Sequence, residues 1–158
     1  MNRIAKLFYI FQDSSHFYLF YGLSEGGPNW QLKRVSSSTG STPGTQNQLG
    51  HALRSQQSVA GQTEVLWIHT TGSDNVRTWK PNIPYTYKIC HIPDYTADAG
   101  LINLKIYESG ALIHETKDIL DKSPDRLKGG KLGVFVDSQK NVKWFGISYG
   151  CASQSQCS

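Results

Sequence analysis

The chain has 158 residues, 38% of them apolar and 11% aromatic, and a formal net charge of +4. That length supports one domain with a real core and not comfortably two. Its sixteen Lys and Arg are dispersed rather than gathered on one face, which argues against a nucleic-acid binder, and no run is long and apolar enough to span a membrane. Four Trp, eight Tyr and six Phe among frequent Gly suit short strands better than helices.

The opening "MNRIAKLFYIFQ" has a basic start and a short apolar stretch, but no sustained apolar core and no small-residue cleavage site. It is therefore read as a strand through Ile4, Leu7, Tyr9 and Phe11 rather than as a secretory leader. "LFYIFQDSSHFYLFYGLS" predicts two strands around "QDSS", where Asp and Ser side chains bond nearby amides and favour a turn. After the turn "SEGGPNW", "WQLKRVS" predicts a third strand with one buried face carrying Trp30, Leu32 and Val35. Residues 36–46 form a loop with no apolar anchor, and "NQLGHALRS" holds a single helical turn, with Leu49, Ala52 and Leu53 on one side.

"TEVLWIHTT" is a strand, "GSDN" a turn, and "YTYKICHI" a strand ending before Pro93. "LINLKIYESGALIHETKDIL" is the clearest hairpin, with Gly110 supplying the positive dihedral of a tight turn. Ile102, Leu104 and Ile106 share one face of its first arm; Leu101, Asn103, Lys105 and Tyr107 share the other. "KLGVFVD" and "NVKWFGISY" make a last hairpin. Nine or ten short strands without a long helix or a repeat point to an all-β, antiparallel sandwich.

At the end of the chain, Gly129, Gly130, Leu132, Gly133, Val134, Phe135, Ser138, Gln139, Trp144, Tyr149 and Cys151 stand where the thrombospondin C-terminal domain has its closing signature. The resemblance extends backwards in order over residues 8–151. "QDSSHFYLFYGL" is similar to that family's "QDSSxFYVVMWK", "LINLKIYESG" to its "IRVxxYEG" strand, and "WKPNIPYTYKICHIP" to its Trp-Lys, Tyr-x-Trp and His-x-Pro region. The resemblance implies a concanavalin A-like jelly roll over residues 1–151, with a flexible tail at 152–158. Family domains carry further strands before the first match, so either a shortened domain or a piece lacking its N-terminal strands is expected. It further implies a secreted, non-enzymatic adhesion or matrix-interaction module that uses calcium and binds a cell-surface receptor or a matrix protein. A glycan-binding lectin on the same sandwich is the alternative. The Val-Val-Met receptor segments of some members read Leu19-Phe20-Tyr21 and Leu104-Lys105-Ile106 here, so that partner does not carry over.

The family cysteine at Cys151 bridges, in relatives, to a preceding region. Here it pairs with Cys157 or stays free, and three reduced thiols are the plainer alternative. Cys90 is expected as a buried free thiol, and no cysteine pair has the spacing of a zinc knuckle. Asp13, Asp74 and Asp137 lie in turns, where an aspartate is either a turn former or an oxygen ligand for calcium. Asp13 is the preferred metal ligand, because its turn keeps the family form. Trp67 and Trp144 are expected in the core, and Trp30 and Trp79 as ligand-facing aromatics. The five histidines form no ligand cluster, and His91 is expected to be packed. The cluster Lys122, Arg126, Lys128 and Lys131 reads as solvated surface or as a weak patch for a sulfated glycan. No Gly-x-Ser-x-Gly elbow occurs, and glutamates 25, 64, 108 and 115 form no alternating cluster, which disfavours a hydrolase.

Overall fold

Asp13 turns the chain for the first time. Its carboxylate accepts a 2.7 Å hydrogen bond from the Ser15 amide, the local bond that makes Asp a turn former. The turn brings β1 (Ile4–Asp13) into antiparallel register with β2 (His16–Leu23), Asp13 opposite His16. This computed structural model describes residues 4–13, 15–23, 29–36, 55–70, 79–137, 141–150 and 154–157. The expected loop at 37–46, the helical turn built on Leu49, Ala52 and Leu53, and the "GSDN" turn lie outside the described residues.

β3 (Asn29–Ser36), β4 (Thr63–Thr70) and β9 (Lys131–Asp137) complete the first sheet, in the order β4-β3-β2-β1-β9. β4 is delivered by a tight turn at 59–63, where the Thr63 amide bonds Val59 O at 2.9 Å and Gly61 adopts φ +69. The second sheet has β5 (Tyr85–Thr96), β6 (Ala99–Glu108), β7 (Ala111–Glu115) and β8 (Ile119–Asp121). β6 is flanked by β5 on one edge and by β7 and β8 in succession on the other. A single helical turn, α1 (Gln154–Cys157), ends the described chain. The chain is all-β in two antiparallel sheets, as expected. It divides into two compact units: residues 1–78 with 127–142, and residues 79–126 with 143–158.

Three details depart from the sequence reading. β3 is buried on both faces rather than one: Trp30, Leu32 and Arg34 on one side, Asn29, Gln31, Lys33 and Val35 on the other. β5 does not stop at Pro93; it continues to Thr96 across a register shift between Ile92 and Thr96. An edge strand tolerates a residue with no amide donor there, and among the described residues β6 is β5's only partner. Residues 142–150 form no strand, so the second arm of the last hairpin is absent. Gly146 adopts φ +68, which breaks an extended run, and β9 takes β1 as its partner. Near the chain's end, α1 carries a buried, bonded Cys157.

Candidate functional site

In the first unit, the register places Tyr21 opposite Gln31 and Leu19 opposite Lys33, so that these side chains share a face with Asn29. All are buried. The Tyr21 hydroxyl donates to Gln31 Oε1 at 3.0 Å, and Gln31 Nε2 donates to Asn29 Oδ1 at 2.6 Å. Burial pushes the Tyr21 hydroxyl up, which keeps it protonated as the donor. Lys33 is fully buried; its ammonium donates to the Ser55 carbonyl and lies 5.8 Å from the centre of the Tyr21 ring. The opposite face is aromatic: Trp30 stacks on Phe20 at 5.5 Å, and the indole sits across from Gly22, which has no side chain to compete for the space. Arg34 pairs with Glu64, its register partner on β4.

In the second unit, the tips of β5 and β6 are clasped by Tyr85. Its hydroxyl donates to Glu108 at 2.7 Å and accepts from the Lys80 amide at 3.0 Å, while Lys80 Nζ donates to Glu108 at 2.8 Å. Lys80 and Tyr85 hold the Glu108 carboxyl below the usual carboxylate range. At the other end, Arg126 donates to Pro93 O, Asp94 Oδ1 and Ala97 O, each at 3.1 Å, and so ties the β5–β6 turn to the strand's bulge. His91 is packed as expected: burial pushes it down to about 4, against the opposing pull of the Asp121 carboxylate.

The C-terminal turn is fastened on the Cys90 side of β5. Cys90 is bonded to Cys157, not free, and Cys157 is bonded to Cys90, not to Cys151. The reason is positional: Cys90 lies opposite Asn103 on β6, and the Asn103 amide donates to Cys157 O at 3.0 Å and to Asp118 at 3.1 Å. Cys151 lies outside the described residues. Asn103 interrupts the apolar run "LINLKI" on the face opposite Ile102, Leu104 and Ile106. Its type was the one signal of a polar anchor there; nothing in sequence paired it with residue 157.

The remaining site residues do not converge. Asp13 is exposed and accepts from Ser15 and from His16 Nδ1 at 3.0 Å, and among the described residues no group of three His, Cys, Asp or Glu side chains gathers for a metal. Trp30 is not ligand-facing: it is 3% exposed, buried by its stack on Phe20. Trp79 is half-buried, with its indole N–H buried and unbonded, and Trp67 and Trp144 are half-buried rather than core. Asp137 stands in β9, with Ile4 as its register partner, and Asp74 lies outside the described residues. The segments at the receptor positions are core: Leu19, Phe20, Tyr21, Leu104 and Ile106 are all buried. Lys122, Lys128 and Lys131 are exposed, while Arg126 is withdrawn into its clamp. The apolar side chains left exposed include Leu112 and Ile113 on β7 and Phe145, Ile147 and Tyr149 after β9.

Two antiparallel sheets and the Cys90–Cys157 disulfide define an all-β module. The family described as Thrombospondin C-terminal region matches residues 3–153, and the chain belongs to that family. Cartilage oligomeric matrix protein of Bos taurus is 34% identical over 162 residues, covering 93% of this chain and 19% of that protein. Thrombospondin-3b of Danio rerio is 33% identical over 156 residues, covering 89% and 15%. Thrombospondin-3 of Homo sapiens is 30% identical over 162 residues, covering 93% and 15%. The chain thus spans less than a fifth of the length of these relatives.

Proposed function

We propose that this chain is a non-enzymatic extracellular module that binds cell-surface or matrix proteins. The family match over residues 3–153 carries the proposal, and a relative named as a cartilage matrix protein supports its location. Exposed Phe145, Ile147 and Tyr149 offer apolar area of the kind that protein partners cover. The direct test is surface binding of the immobilised chain to a panel of matrix proteins, with cell adhesion measured alongside and a glycan array as control. Saturable protein binding or adhesion with a blank array is expected. Robust sugar binding without either would replace this reading with the lectin one.

Calcium dependence belongs to the same proposal, because the family resemblance implies it. The Asp13 turn alone does not fit the ion: calcium takes about six to eight oxygens, whereas here one carboxylate faces an amide and an imidazole. Chelation is expected to lower both the melting temperature and partner binding. If neither moves, calcium is withdrawn and the binding reading stands.

A further inference from the structure

The stretch Lys128-Gly129-Gly130-Lys131 lies just past the point where the chain leaves the second unit and re-enters the first. All four residues are exposed, and only Lys131 belongs to a strand. A Cβ built on Gly129 would meet nothing within 4 Å. The flanks are anchored. On one side Leu127 is buried, with its amide donating to the Tyr18 hydroxyl at 3.2 Å. On the other side β9 pairs with β1, but the ladder skips: Lys131 faces Phe11 and Gly133 faces Phe8, so exposed Leu132 falls in the register break. Exposed backbone with small residues between fixed ends is the preferred substrate for nicking. Lysines at both ends suit the acidic primary pocket of a trypsin-like serine protease.

We infer that residues 128–132 are a cleavage site for a trypsin-like serine protease, and that the cut chain stays one molecule. Hydrolysis adds water across the Lys128–Gly129 or Lys131–Leu132 amide. The oxygen goes to the lysine carbonyl carbon to give a carboxylate, and the nitrogen leaves as the new terminal amine. Either cut falls between Cys90 and Cys157, so the disulfide joins the two pieces covalently, and the β1–β9 pairing holds them in place. Separation then needs two events, a cut and a reduction, and neither alone releases the C-terminal piece.

The test is brief digestion of the full chain with trypsin under native conditions, read by mass spectrometry and by gels with and without reductant. A fragment beginning at Gly129 or Leu132 is expected, visible only after reduction, while the unreduced nicked chain runs with the uncut one. Lys128→Gln with Lys131→Gln removes that fragment and leaves the circular-dichroism melt and cleavage at other lysines and arginines unchanged. Cleavage at other described lysines or arginines with no cut at 128 or 131 would overturn the site. A C-terminal fragment that separates without reductant would overturn the retention.

Discussion

His91 and Tyr21 are two ways of housing a polar side chain in an apolar sheet. His91 is kept neutral down to about pH 4 by burial, whereas an unfolded chain protonates it near 6.5. Between those values the unfolded state binds the extra proton, so this residue's contribution is intact above pH 6.5 and is lost as pH falls toward 4. The melting temperature should drop over that window, and His91→Leu should flatten the drop when both are followed by circular dichroism. Tyr21 is held by a hydrogen bond to Gln31. Tyr21→Phe leaves Gln31 Oε1 without its buried donor and should cost roughly 1–2 kcal/mol in urea unfolding. Gly100 is constrained by a third effect, close approach. A Cβ there would sit 3.0 Å from Pro93 O and 3.6 Å from Arg126 Cδ, so Gly100→Ala should destabilise by roughly 1–3 kcal/mol.

At the scale of elements, the strands with local signals were legible and the cross-chain fastenings were not. "ESG" announced its turn, and the structure has Ser109 at φ 49 and Gly110 at φ 83, two successive positive values as a type I′ hairpin requires. "QDSS" and "TEVLWIHTT" were equally clear, because turn chemistry and alternation are local. The failed arm, "NVKWFGISY", has the right alternation; but alternation only qualifies a segment for pairing, and partner choice is a long-range matter. The same limit hid the Cys90–Cys157 bond. At a sequence separation of 67, that bond removes enough unfolded-chain freedom to be worth about 4 kcal/mol. Replacing both cysteines with Ala should lower stability by that order, and the loss should match the effect of reducing the parent chain in the same denaturant titration.

For the whole molecule, the family was legible because its closing signature is specific and nearly contiguous, and the match over residues 3–153 agrees with it. The candidate ligand-facing residues were not legible, because exposure is a property of the folded chain: Trp30 ended in the core, and Asp13 spends its carboxylate on a turn. Phe145 and Tyr149 are 79% and 92% exposed, so Phe145→Ser with Tyr149→Ser should leave the melting temperature within error and weaken binding in the matrix-protein assay.

Pro93 bears on how copies of this chain behave beside one another. A polypeptide aligning along the outer flank of β5 would find the ladder interrupted where the proline offers no N–H and the bulge throws the spacing out of step. Among the described residues that flank takes no other strand, and the break at Pro93 disfavours zippering of copies along it.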